Sequence, residues 1–426
     1  MNDLDCREVR DLSSPEGRPG WTGRLTLALL LVLSSLAGCT SYPVGNPQAV
    51  TDCAQCGDTV AVVPLAPGSS PYTVVELAIN GRAGYRFLFD TGAPATVLFL
   101  HPGTEDLALP TAGEIEVRGY GDGARPKARV ANNVHLSIGP VQLHHMSVLV
   151  MRADAVQLFA LPDMVFIDGI IGLDLWSRFG IEVDAADGSM MLHPLGTTGI
   201  GIGARSTPLA ARGGHLYLSA KVAPRSGDAP VSMSLVLDSG DRGSLRLNAD
   251  PRHGLAVPDT VRQIESRGIQ GPELTLLGRV AEFDLAGLGF GNVPTAFAPV
   301  GTDPNGLGVG AVGAGILSKL RWAVDVRQGQ FWLATGASED MSFADGSFGF
   351  AAVVVSGRLR VIAVHADGAA ARAGMKVGDT LVSPDGRPLS ATDQTRLQAA
   401  LQRLAAVDIC WRRGAVDQCS TLRRAA

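Results

Sequence analysis

Two short stretches of this 426-residue chain set an acid, a hydroxyl residue and a glycine behind an apolar run. They are Phe87-Leu88-Phe89-Asp90-Thr91-Gly92-Ala93 and Leu235-Val236-Leu237-Asp238-Ser239-Gly240. An apolar run ending in such a turn puts each acid at the end of a strand, where it is presented rather than buried. Two carboxylates sharing one site cannot both ionise easily, so one proton stays between them and the pair holds a base and an acid side by side. That equipment suits the activation of water against a carbonyl. Other chemistries are poorly supplied. The eight histidines are scattered, His144-His145 being their only cluster, and no His-Glu-x-x-His pattern occurs, so neither a metal nor another cofactor is expected. Gly308-Val309-Gly310-Ala311-Val312-Gly313 spells a dinucleotide fingerprint, but a Pro- and Gly-rich loop precedes it and no βαβ unit surrounds it.

The elements that must position these acids read as strands. Thr73 to Ile79 alternates apolar and polar residues, Asn80-Gly81 makes a tight turn, and Tyr85 to Phe89 returns as a hairpin that delivers Asp90. Val97 to Leu100 is a further strand, and Glu114 to Gly123 reads as a strand entering a glycine-rich tip at Tyr120 and Gly121. Ile170-Ile171-Gly172 and Phe179 to Asp184 follow. The segment from Gly172 to Asp184 then recurs without gaps as Gly313 to Asp325, sharing the first Gly, Ser177 with Ser318, Val183 with Val324 and the last Asp. Asp90 precedes its Gly by 82 residues and Asp238 by 75, which points to an internal duplication. With 46% hydrophobic residues, 52 glycines and a formal net charge of -5, the chain is expected to be globular, rich in strands and turns, and without a nucleic-acid partner.

Asp90-Thr91-Gly92-Ala93 resembles the active-site loop of aspartic peptidases of the retropepsin-like branch, and Ile170-Ile171-Gly172 matches the hydrophobic-hydrophobic-Gly strand that runs beside that loop in the family. The resemblance implies a mainly β fold of two duplicated β-barrel lobes, residues 59–196 and 204–337, with Asp90 and Asp238 as a catalytic dyad facing a cleft for an extended peptide. It also implies that Thr91 and Ser239 tie the two loops together by bonds to the opposite lobe's backbone, while Gly92 and Gly240 permit close approach. Tyr120 and Gly121 would belong to a flap over the substrate, although a plain surface hairpin explains the same residues. Asp241 stands where the family has Ala, Ser or Thr. That departure keeps open the reading of a peptide-binding protein that has lost hydrolysis; a structural envelope protein whose β lobes only present the C-terminal residues is a second rival. Asp238-Ser239-Gly240 is also similar to the nucleophile segment of trypsin-like proteases, but Leu237 and Asp241 flank it instead of glycines and no suitable His precedes it.

Both ends of the chain carry further signals. Leu25 to Ala37 is an apolar run of 13 residues after Arg18 and Arg24, too short to span a bilayer comfortably. Leu36-Ala37-Gly38-Cys39 resembles a bacterial lipobox. This implies a signal peptide over residues 1–38, acylation of Cys39, and a membrane-anchored protein of the bacterial envelope facing the periplasm; a plain signal peptide with an incidental Cys is the other reading. Five acids ahead of Arg18 are unusual there and point to a start further downstream. Residues 39–58 read as a tether, in which Cys53 and Cys56 suit a local disulfide better than redox work or zinc. Residues 347–424 resemble a bacterial-type PDZ domain, a small α+β unit, through the Ala-rich helix ending at Gly374 and the Gly378-Asp379 pair. A carboxylate loop at Gly349 and Phe350 would capture the C-terminal tail of a partner, while a packing module that binds no tail is the alternative. Leu397, Leu401 and Leu404 recur at helical spacing after Ser390, and Gly414-Ala415 makes Cys410 and Cys419 face each other across a hairpin at a distance a disulfide can close.

Overall fold

A computed structural model describes residues 61–66, 71–155, 167–198, 204–248, 261–298, 309–334, 348–355, 357–364, 368–390 and 404–424, with Leu255, Val257, Pro258, Asp393, Leu397, Ala400 and Leu401. Cys39, Cys53, Cys56, the signal segment and the tether lie outside the described residues. The chain is mainly β, in keeping with its alternating patterns.

The first lobe runs through β1 (Ala61–Pro64), β2 (Val74–Ile79), β3 (Arg82–Phe89), β4 (Val97–Leu100), β5 (Thr111–Glu116), β6 (Lys127–Ile138), β7 (Val141–Arg152), β8 (Gly169–Ile171), helix α1 (Leu173–Trp176), β9 (Phe179–Asp184) and β10 (Ser189–Pro194). Strands β2-β3-β8-β4-β7-β6 pair in that order and a β2–β6 pairing closes them into a barrel, with β5 hung on β6. Closure removes the free edges. Its core is the apolar half of each alternating pattern, including Phe87, Phe89, Leu98, Leu136, Leu143 and Ile171. Short β8 slots between β3, to which it is parallel, and β4, to which it is antiparallel. A run buried on both faces explains why Ile170-Ile171 is continuously apolar. The strand expected over Glu114 to Gly123 ends at Glu116, and the tip beyond it is loop.

The second lobe repeats this plan with β11 (Arg205–Arg212), β12 (His215–Ala223), β13 (Val231–Asp238), β14 (Leu245–Asn248), β15 (Arg262–Gly268), β16 (Gly271–Leu285), β17 (Leu288–Ala298), β18 (Gly310–Gly313), α2 (Ala314–Leu317), β19 (Arg321–Asp325) and β20 (Gln330–Leu333). Here β12-β13-β18-β14-β17-β16 close through β12–β16, and β15 hangs on β16. Between the barrels lies a sheet that the sequence reading did not foresee, β1-β10-β9-β19-β20-β11, to which both lobes contribute three strands. Its central pair sets Ile181 opposite Val324, Glu182 opposite Ala323 and Val183 opposite Trp322. In the repeat Glu182 corresponds to Ala323, Ile181 to Trp322 and Val183 to Val324. The register is therefore symmetric about Glu182 and Ala323, and a pseudo-two-fold axis passes between them. The last Asp of each repeat caps the turn that follows. Asp184 accepts the Ala186 and Asp187 amides, and Asp325 those of Arg327 and Gln328, ahead of Gly188 and Gly329 at φ 64° and 63°.

The C-terminal residues form a five-stranded sheet in simple order: β21 (Phe350–Val355), β22 (Arg358–Val364), β23 (Thr380–Val382), β24 (Ala406–Arg413) and β25 (Val416–Arg423), with helix α3 (Ala369–Arg372). Gly374, at φ 88°, ends the Ala-rich helix. Asp379 is buried because it caps the turn at Lys376 and receives a bidentate Arg413 at 2.7 and 2.8 Å. Cys410 pairs with Cys419 across the hairpin and the two form a disulfide. Leu397 and Leu401 pack on the core of this sheet, whereas Leu404 is 47% exposed. Among the described residues no helix is long and apolar enough to cross a membrane.

Candidate active site

The two acid loops, one from each lobe, meet. Phe89 and Asp90 hang on neighbours on both sides, since the Phe89 amide donates to the Thr73 carbonyl and the Asp90 amide to Ile171 on β8. This is why the apolar strand and the Ile-Ile-Gly strand travel together in the sequence. Gly172 has no alternative residue: a Cβ there would stand 2.3 Å from the Asp90 carbonyl oxygen and 2.4 Å from that of Ala93. Its repeat, Gly313, would strike the Gly243 and Asp241 carbonyls in the same way.

Thr91 and Ser239 cross-link the loops. The Thr91 hydroxyl donates to the Leu237 carbonyl at 2.7 Å and accepts the Ser239 amide at 3.0 Å. The Ser239 hydroxyl donates to the Phe89 carbonyl at 2.8 Å and accepts the Thr91 amide at 3.0 Å. Both side chains are buried, so these four bonds are shielded from water. They draw the loops so close that a Cβ on Gly92 would lie 2.8 Å from the Asp238 carboxyl carbon, and one on Gly240 2.3 Å from that of Asp90. Each glycine amide also donates to the acid of its own loop, Gly92 to Asp90 at 2.8 Å and Gly240 to Asp238 at 3.1 Å. The Asp90 and Asp238 carboxyls stand close enough for each to shift the ionisation of the other.

Burial pushes both acids above the ordinary carboxylate range, and for Asp238 the neighbouring charges of Asp90 and Asp241 push further. The pair therefore retains a proton between its members where isolated aspartates would be ionised. Asp238 is only 8% exposed, which departs from the expectation of a presented acid. Tyr120, in a roof made by two loop tips, lies near enough to Asp238 to feel its charge.

That roof has two halves. The loop between β5 and β6, with Tyr120 and Gly121 at its tip, meets the turn of the β15–β16 hairpin, Gly268-Ile269-Gln270-Gly271. Gln270 donates its amide to the Tyr120 carbonyl at 2.9 Å and accepts Gly123 at 2.9 Å, while Asp122 donates to Pro272 at 3.0 Å. The Gln270 side chain accepts Gly119 at 3.0 Å and donates to Gly121 at 3.2 Å. The tips interlock closely enough that a Cβ on Gly119 would collide with Ile269, and one on Gly268 with Tyr120. Tyr120 lies over the guanidinium of Arg246 from the opposite lobe, 4.1 Å from ring centre to Arg246 Cζ. Burial raises its phenol well above the usual value, so it stays a neutral O–H. Arg246 in turn pairs with Glu273 at 2.5 Å, beneath the second tip, and with Asp241 at 3.5 Å.

Asp241, the departure noted in the sequence, is accommodated. Its carbonyl accepts the first amide of α2 as that of Ala93 accepts the first of α1, and its carboxylate takes the Gly243 amide and Arg246. The acid thus changes the charge of the loop but not its course. The sequence reading missed Gln270, Arg246 and Glu273. A two-residue turn flanked by Gly268 and Gly271 was the available signal for the first, once the duplication called for a counterpart to the first tip. Gly349 and Phe350 stand apart from this site, at the start of β21 in the C-terminal sheet. Among the described residues no three His, Cys, Asp or Glu side chains stand ready around a cation.

No curated protein matches this sequence significantly. Among solved structures, the aspartic proteinase from Irpex lacteus is a neighbour at TM-score 0.38 and 14% identity, over 65% of this chain and 97% of that one. Residues 75–175, from β2 through most of α1 and so including the first acid loop, match the family model described as Aspartyl protease.

Proposed function

We propose that this chain is an aspartic endopeptidase that works as a single chain, with Asp90 and Asp238 as its dyad. The observation that carries this reading is the crossed bonding of Thr91 and Ser239, which holds two carboxyls from different lobes side by side with one proton between them. A water held between the carboxyls gives its proton to the ionised one as its oxygen attacks the scissile carbonyl carbon. The protonated partner donates to the carbonyl oxygen, and a tetrahedral diol forms. Transfer of a proton to the amide nitrogen then lets the C–N bond break. The roof excludes bulk water and lies over the backbone of an extended peptide.

The C-terminal sheet supports a PDZ-type role. Among the described residues β21 pairs only with β22, which makes its other edge the place where a peptide strand would add, and Gly349 takes φ 78° beside Gly368. A partner's tail adding there would place its terminal carboxylate at Gly349 and Phe350. Acylation of Cys39 would hold the whole chain to the envelope membrane, and Cys39→Ala should release it in soluble form.

Cleavage of an undirected peptide library by the mature chain tests the reading. Internal cuts suppressed by a peptide bearing a tetrahedral hydroxyl in place of the scissile carbonyl would support it. Cleavage indifferent to such a peptide, or none at any pH, would overturn it.

A further inference from the structure

The β6–β7 hairpin carries a cluster that the dyad chemistry does not use. Val134 pairs with Met146 and Leu136 with Leu143, so the single residue His135 stands opposite two, His144 and His145. This is a β-bulge, and His145 within it takes a left-handed conformation, at φ 56°. In a regular strand neighbouring side chains point to opposite faces. The bulge cancels that alternation and gathers three imidazoles on one outer face of the first lobe. Their ring centres are 4.8 Å apart for His135 and His144, 5.7 Å for His135 and His145, and 6.4 Å for His144 and His145.

We propose that this bulge is a transition-metal site, in which His135, His144 and His145 hold one divalent ion of the Zn2+ or Cu2+ class. A triangle with those sides has a point about 3.3 Å from all three ring centres, and an imidazole bound through a metal–nitrogen bond of about 2.0–2.1 Å has its centre near that distance. The Nδ1 atoms of His135 and His144 already face one another at 2.8 Å, sharing a proton that the ion would replace. They need only part to about 3.4 Å, the spacing of two such bonds at the tetrahedral angle. His145 must give up Asn133 Oδ1 and turn its ring, which its exposed position allows. Asn133, itself at φ 60° in an adjoining irregularity, is freed to bond a water in the fourth position. Imidazole nitrogen selects this class of ion over Mg2+ or Ca2+.

The test is a titration of the metal-stripped full chain with Zn2+, and separately with Cu2+. One ion per chain should bind, weakened at least tenfold by His135→Asn and by His144→Asn, and undiminished in Cys53→Ser/Cys56→Ser, which removes the thiols that could compete. Ring-proton NMR of the unaltered chain gives a readout that needs no variant, since the signals of these three histidines should shift together with the added Zn2+. No saturable binding, binding that survives the doubly substituted His135→Asn/His144→Asn chain, or ring signals that stay in place would each overturn the proposal.

Discussion

Asp241 occupies the place of Ala93 in the repeated loop and keeps its main-chain bond, so its effect on the dyad is electrostatic. A negative charge beside the pair disfavours ionisation and raises the lower pKa of the dyad. In Asp241→Ala that pKa falls, and the acidic limb of the pH–rate profile is expected to move to lower pH. A limb that stays in place would mean that Arg246 already cancels the charge. At this scale the sequence was informative wherever the chemistry needs neighbouring residues of fixed type. Asp90, Thr91 and Gly92 could be read together because acid, cross-link and close approach are three consecutive requirements of one turn. Arg246 and Glu273 could not, since an arginine within an apolar strand and a glutamate after Pro272 acquire meaning only when the barrel closes and brings them under Tyr120.

Under the proposed function, access to the dyad depends on the roof. Five hydrogen bonds join its tips, and two of them come from the side chain of Gln270. Replacing it in Gln270→Ala removes those two and leaves the main-chain three. Amide hydrogen exchange at Asp122, Gly123 and Gln270 is expected to accelerate by roughly fivefold per bond lost, at about 1 kcal/mol each, with the barrel amides unchanged. Equal protection in both proteins would show that the side chain adds nothing to closure. Element by element, strands with strict alternation or a tight Asn-Gly turn were legible, as were the duplicated strand ends, because side-chain period and turn chemistry are local. The second tip was not, for Arg262 to Gly268 carries charged residues at short intervals and offers no clear apolar face. The bulge at His144 was equally hidden, since a bulge is a relation between two strands.

Across the whole molecule the two lobes are joined by the central sheet, and Glu182 sits on its axis. Burial would raise its pKa, but hydrogen bonds from His193 and from Arg321 of the other lobe outweigh it and hold the carboxyl below its usual range. A depressed pKa contributes stability above the unfolded-state value, which is lost as pH falls through the folded one. Asp325, held low by the Gly196, Gln328 and Arg327 amides despite burial, acts in the same direction. The melting temperature is therefore expected to fall below about pH 4. Glu182→Gln should melt earlier at neutral pH and show a flatter dependence, and a parallel profile would remove Glu182 from the account. The joining sheet was the least legible part of the fold, because its strands are far apart in the chain and their pairing depends on the pseudo-symmetry itself. The central claim is that Asp90 and Asp238 form one site within one chain. Its most direct test is cleavage of a peptide substrate by Asp90→Asn and by Asp238→Asn over a range of enzyme concentrations. Each variant should be almost inactive, with wild-type specific activity unchanged on dilution, whereas an active Asp238→Asn, or activity falling steeply with dilution, would mean that first lobes from two chains pair instead.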